Sequence, residues 1–172
     1  MTTQQILQWS SAYLLELLVV LWFTRATLRR ALGALAGGAV VGLMALGAIA
    51  ACERLGWWRV PLPPEPYSLA LFYLGTVISV VPIYLVTWRT VRRFGWRGLA
   101  VWIGGVAIIG PPRDYFIAAR FPSWMVFSPG FAPVLADSVT YMGIVALGHA
   151  VMHAVSGPAR GDRLARTSPE TS

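Results

Sequence analysis

Two ionisable side chains within long apolar runs are the first candidates for chemistry in this sequence, Glu16 and His149. A carboxylate near the middle of a membrane helix costs several kcal/mol unless it is protonated, paired or facing water, so such a residue is a candidate functional group. If the two side chains meet inside the protein, they form an acid–base pair. The alternative for Glu16 is a protonated packing residue, held by hydrogen bonds on the polar helix face that also carries Trp9 and Tyr13.

A second group of candidates could surround that pair. Tyr84 is expected at a similar depth and could bind a ligand together with His153, which follows His149 by four residues and so shares its helix face. This spacing suits a metal, but Asp137 lies about 18 Å away along the helix and cannot complete the site. No HExxH pattern is present, and Cys52 has no companion thiol. We therefore predict neither a metal nor a cofactor.

The adjacent residues Arg113 and Asp114 form a third candidate site, in the mixed polar and apolar segment that follows Pro111 and Pro112. Beside a cavity, the arginine could orient an anionic headgroup and the carboxyl could transfer a proton. The alternative is an interfacial cap that carries a surface ion pair of little energetic weight.

The composition determines which elements must position these residues. The 172 residues are 56% hydrophobic and 12% charged, whereas a soluble domain has about 25% charged residues. The net charge of +7 comes entirely from arginines that flank apolar segments, so nucleic-acid binding is not indicated. The composition therefore predicts a membrane protein.

Five apolar segments are long enough, or nearly so, to cross a bilayer as helices. The predicted fold is an all-α bundle of five transmembrane helices, with spans at about 6–23, 31–51, 67–88, 98–112 and 135–155. The fourth span is short and is expected to end at Pro111 and Pro112. Residues 113–134 are predicted to form an interfacial outer segment, and residues 159–172 a polar cytoplasmic tail. The eight tryptophans are expected mainly in the interfacial belts, among them Trp22, Trp57, Trp58, Trp88, Trp96 and Trp124.

The arginines also predict an orientation, because basic residues near span ends are retained on the cytoplasmic side. With five crossings and the N-terminus outside, the inner side receives the groups at 25–30, 89–97 and 160–166. The outer side keeps Arg54, Arg59, Arg113 and Arg120. We predict a multi-pass protein of the bacterial inner membrane with a cytoplasmic C-terminus.

A face of small residues in the second span, at Ala34, Gly38 and Gly42, allows another helix to approach closely. That helix could belong to the same chain, to a second copy or to another membrane protein. Membrane lipid is the other expected partner.

Three functions remain open from the sequence, and no family is recognised. The first is a non-catalytic subunit, helper or binding protein in the membrane. The second is an enzyme that acts on a lipid or isoprenoid through Glu16 and His149, with Asp114 as a further catalytic candidate. The third is a small proton-coupled carrier.

Overall fold

A computed structural model describes residues 2–158, so the predicted tail at 159–172 lies outside the described residues. The described chain forms five helices, α1 (Thr3–Thr24), α2 (Leu28–Arg54), α3 (Ser68–Phe94), α4 (Trp96–Arg120) and α5 (Phe131–Ser156), and two short strands, β1 (Trp58–Arg59) and β2 (Val126–Phe127). Four of these helices, α1, α2, α3 and α5, are long and apolar enough to cross a membrane. The prediction of an all-α membrane fold is confirmed at this level.

The helices begin and end at residues suited to capping and to tight turns. Thr2 caps α1 in a reciprocal capping box with Gln5, and Thr27 caps α2 through its side chain. Between α3 and α4 stands a single residue, Gly95, whose φ of 63° favours glycine. Thr27 and Gly95 lie at the same end of the bundle, which we call the arginine end because it holds Arg25, Arg29, Arg30, Arg89, Arg92, Arg93 and Arg97.

The opposite end, the strand end, holds the antiparallel pair of β1 and β2. Trp58 pairs with Phe127 and Arg59 with Val126, and the amide of Ser128 donates a 2.8 Å hydrogen bond to the carbonyl of Trp57. β1 precedes α3, whereas β2 follows α4. Because the two strands meet, the chain that leaves the strand end through α3 returns to it through α4.

Proline does not end α4. The helix continues through Pro111 and Pro112 to Arg120, so it is longer than the predicted span 98–112 and takes in the first part of the predicted interfacial segment 113–134. Each proline lacks an N–H group, which leaves the carbonyls of Ala107 and Ile108 without their helical donors. Packing against α5 and α3 keeps this segment helical despite the loss.

Glycines on α2 let this helix contact two neighbours closely. A Cβ atom added to Gly37 would lie 2.6 Å from the carbonyl oxygen of Gly148 on α5, and one added to Gly42 would lie 2.7 Å from the ring of Tyr73 on α3. Gly38 is likewise buried, against Val77. The prediction that Gly38 and Gly42 face a neighbouring helix is confirmed, and that helix is α3 of the same chain. This face is therefore already covered and is not free to receive another protein.

The remaining contacts leave α1 at the side of the bundle. α2 packs along α5 and α3, and α4 packs along α5. In the described chain, α1 has extensive contact with α3, whereas its contacts with α4 and α5 are few at most. Helices one and five are therefore not packed side by side.

Candidate functional site

A cavity of about 340 Å³ lies within the bundle, in the half nearer the strand end. All five helices contribute to its wall, and the segments around β1 and β2 cover it. Much of the surface is apolar, contributed by Ile6, Ala45, Ala48, Ile49, Phe72, Val80, Ile83, Ile117 and Ile144. A volume at the lower end of the roughly 300–1,000 Å³ of ligand pockets suits one small or slender molecule.

The polar groups of the cavity are gathered mainly on α4, α5 and one face of α1. We call this set the polar wall, and it consists of Tyr13, Glu16, Arg113, Asp114, Asp137 and Tyr141. The cavity therefore combines an apolar body with polar groups that can fix the orientation of a bound molecule.

Asp114 is the best-connected member of the polar wall. Its Oδ2 atom accepts a 2.8 Å hydrogen bond from the hydroxyl of Tyr141, and its Oδ1 atom lies 3.4 Å from Nε of Arg113. Arg113 in turn places Nη2 3.5 Å from the hydroxyl of Tyr13. The side chain of Asp114 is largely buried and that of Arg113 is half-exposed. These contacts link α1, α4 and α5 across the cavity wall.

Glycine at position 110 makes this arrangement possible. A Cβ atom there would overlap with the ring of Tyr141, which lies directly against the α4 backbone. The close approach brings the tyrosine hydroxyl within reach of Asp114, one helical turn further along. Gly110 thus precedes the two charged residues for a structural reason.

Aromatic side chains close the strand end of the cavity. The aromatic cap consists of Trp58, Trp124 and Phe127, of which Trp58 and Trp124 are buried. The ring centroids of Trp58 and Phe127 lie 5.6 Å apart, and Trp124 meets Trp9 of α1 edge-on at 4.6 Å. Trp88 is buried as well, whereas Trp22 and Trp96 are exposed. The interfacial belt stays a prediction for all of them. Burial depends on contacts between distant segments, which position near a span end does not reveal.

The structure gathers three of the candidate site residues at one cavity. Arg113 and Asp114 lie in its wall with Glu16, which keeps an exposed side chain and has no hydrogen bond or ion pair within residues 2–158. His149 and His153 do not line the cavity. The ring of His149 is partly buried on the part of α5 nearer the arginine end, and His153 is exposed. Glu16 and His149 therefore do not face a common cavity in which they could act as an acid–base pair.

Tyr84 does not line the cavity and packs between α3 and α5 instead. It is fully buried, and its hydroxyl donates a 3.1 Å hydrogen bond to the carbonyl of Ile144. Its ring fills the space left by the missing side chain of Gly148. These contacts join α3 to α5, and the hydroxyl of Tyr84 is already occupied by its hydrogen bond to Ile144.

Three groups of the site were not proposed as site residues from the sequence: Asp137, Tyr141 and Trp124. Asp137 and Tyr141 are four residues apart on α5, so the sequence alone places them on a common helix face. Their relation to Asp114 could not, because it depends on how α4 packs against α5. Trp124 comes from an irregular segment, whose position no periodicity predicts.

The arrangement offers hydrogen bonding and proton exchange, and metal binding has no support. Within residues 2–158, no group of three His, Cys, Asp or Glu side chains is close enough to hold an ion. A scan of protein-family models gives no match for the chain, and comparison with curated proteins and with solved structures gives none either. The function must therefore be argued from the cavity itself.

Proposed function

We propose that this chain is a small polytopic protein of the bacterial inner membrane that binds one amphipathic molecule, a lipid or an isoprenoid, in the cavity of its bundle. The observation that carries the proposal is the combination of an apolar cavity with the polar wall on one side. The apolar body can bury a hydrocarbon chain, and the polar wall can hold a single polar end.

The position of α1 supports access from the lipid phase. This helix packs on α3. On the side of the cavity away from α3, it makes two side-chain contacts, that of Trp9 with Trp124 and that of Tyr13 with Arg113. Side-chain rotation at these two contacts would open a path between α1 and α4. A lipid-soluble molecule could then enter sideways without crossing the packed core.

The proposed orientation puts the arginine end in the cytoplasm and the N-terminus outside, because arginines of short loops are retained inside. It requires α4 to cross the membrane. Its 25 residues would span about 37 Å, which exceeds the roughly 30 Å of hydrocarbon. The pairing of β1 with β2 supports this crossing, since it returns the chain to the strand end after α3.

Catalysis on the bound molecule is the second candidate function. The carboxyls of Glu16, Asp114 and Asp137 and the hydroxyl of Tyr141 all face the cavity and could exchange protons with a lipid or isoprenoid. Asp114 takes the central role in this alternative, because Arg113 and Tyr141 hold its orientation.

A proton-coupled carrier has less support from the packing. Between the cavity and the arginine end, the described bundle is filled by large buried side chains, among them Tyr84, Leu85, Trp88 and Met152. A carrier needs a path through both halves, and this packing would have to open to provide one.

The binding proposal is tested by filling the cavity. Ala48 lines the cavity, whereas Ala50, on the same helix, is exposed. The protein would be extracted in mild detergent and its bound lipids identified by native mass spectrometry. We expect the unmodified chain and Ala50→Phe to retain one hydrophobic molecule per protein, and Ala48→Phe to lose it. Equal retention by both variants, or no retained molecule in the unmodified chain, would contradict the proposal.

A further inference from the structure

The side chain of Asp137 lies in the cavity wall without a hydrogen-bond partner for one of its oxygens. It is 5% exposed, and its Oδ2 atom has no partner among residues 2–158. Asp114 differs, since Arg113 and Tyr141 occupy both of its oxygens. A buried polar atom left unpaired is unfavourable, so an unpaired oxygen at a cavity indicates a position that a ligand can occupy.

A second unpaired group, a donor, belongs to the aromatic cap. The indole Nε1 atom of Trp124 is buried and has no acceptor in the described chain, although the ring lines the cavity. Its neighbours Trp9 and Phe121 contact it through their rings. The cavity wall thus contains a buried acceptor oxygen and a buried N–H donor that no group of the described chain satisfies.

The charges of the polar wall argue against an anionic ligand. Glu16, Asp114 and Asp137 contribute three carboxyl groups, and Arg113 is the single basic side chain among the described cavity residues. That arginine already lies against Asp114 and Tyr13. A phosphate or carboxylate would meet three acidic groups and a single basic side chain, which already lies against Asp114.

A hydroxyl group matches these features better than the other common polar ends. It donates to a carboxyl oxygen such as Oδ2 of Asp137 and accepts from an N–H group such as that of Trp124. An ammonium group donates but accepts nothing, which would leave the indole unpaired. We infer that the cavity takes a long-chain alcohol, whose hydroxyl binds Asp137 and whose hydrocarbon chain fills the apolar body. This inference rests on the proposed binding function and names its ligand class.

The ligand class is tested with probes that share one chain and differ at the polar end. Farnesol, farnesyl diphosphate, farnesylamine and the corresponding hydrocarbon would be titrated against the full chain in nanodiscs, with tryptophan fluorescence as the readout. We expect farnesol to bind about tenfold more tightly than each of the others, the effect of one well-made hydrogen bond to a polar buried group.

Two variants assign the preference to residues. Asp137→Ala, which removes the acceptor, and Trp124→Phe, which keeps an aromatic ring and loses the N–H donor, should each reduce the preference for farnesol over the hydrocarbon several-fold. Ser138→Ala is the matched control, since Ser138 is next to Asp137 and does not line the cavity; it should keep the preference.

The outcomes separate this inference from the function on which it rests. Binding of the diphosphate, the amine or the hydrocarbon as tightly as farnesol would overturn the inference while leaving a lipid-binding cavity. An unchanged preference in Asp137→Ala would overturn it as well. If no probe binds and Ala48→Phe retains its lipids like the unmodified chain, the proposed function fails and the inference fails with it.

Discussion

Tyr141 donates a 2.8 Å hydrogen bond to Asp114, and this contact joins α5 to α4 directly after the two prolines of α4. Those prolines remove two backbone hydrogen bonds from the helix just where it carries the charged side chains of the polar wall. The side-chain bond to Tyr141 is therefore one of the contacts that hold this part of α4 in position.

Substituting Tyr141 by Phe should weaken that connection without leaving a void. We expect Tyr141→Phe to lower the free energy of unfolding by about 1–2 kcal/mol, because Asp114 loses a buried hydrogen-bond donor. Reversible unfolding in mixed micelles provides the measurement. Tyr67→Phe is the control, since Tyr67 is exposed and should tolerate the change. Equal stability of the two variants would mean that the contact contributes nothing.

Two glycines of α4 should respond to alanine in opposite directions. At Gly110 a Cβ atom would overlap with the ring of Tyr141, so Gly110→Ala should destabilise the protein by about 1–3 kcal/mol through overpacking. At Gly104 nothing lies within 4 Å of the added atom, so Gly104→Ala should be neutral or stabilise the helix by up to about 1 kcal/mol. The same unfolding assay compares them. A Gly110→Ala protein as stable as Gly104→Ala would show that Tyr141 is not held against α4.

Arg30, at the arginine end, is buried and holds the C-terminal end of α5 in position. It is 2% exposed and donates hydrogen bonds of 2.7 Å and 2.6 Å to the carbonyls of Gly157 and Pro158. A cation near the C-terminus of a helix also interacts favourably with the helix dipole. Without the guanidinium, these carbonyls lose both donors.

We therefore expect Arg30→Ala to release the end of α5, with a loss of about 3 kcal/mol in unfolding free energy. Amide hydrogen exchange should become faster for residues 153–157. Arg30→Lys should give an intermediate effect, because an ammonium group cannot reproduce the two-pronged geometry of a guanidinium. Arg93→Gln, a change at an exposed arginine, serves as control. Unchanged exchange in Arg30→Ala would refute the anchoring role.

The helices were largely predictable because each depends on its own sequence. Long apolar runs bounded by Thr27, by Gly95 or by Gly157 contain their own start and stop signals. The end of α4 was mispredicted for a physical reason. A proline removes a hydrogen bond wherever it stands, but whether the helix ends there depends on the packing that surrounds it, which is not a local property.

The candidate site was predictable where neighbouring residues suffice. Arg113 and Asp114 are adjacent in the chain and stand out from their surroundings, and Glu16 is conspicuous in an apolar run. The contact of Asp114 with Tyr141, 27 residues away, needs the packing of α4 on α5. The pairing of Glu16 with His149 required α1 beside α5, whereas α1 packs on α3. Which helices become neighbours depends on how closely their surfaces fit together, as at the close contact of Gly37 with Gly148.

The orientation of the chain in the membrane can be measured by cysteine labelling, because the sequence has a single cysteine. Cys52 is buried, so Cys52→Ser provides a background into which one cysteine at a time can be introduced. With the arginine end in the cytoplasm, Arg59→Cys and Val126→Cys should react with a membrane-impermeant maleimide added to intact cells. Arg93→Cys should react only after the membrane is opened. The pairing of Arg59 with Val126 puts both positions at one end of the bundle, so they must give the same result. Labelling of Arg93→Cys alone in intact cells would reverse the orientation, and labelling of Arg59→Cys without Val126→Cys would mean that α4 does not cross.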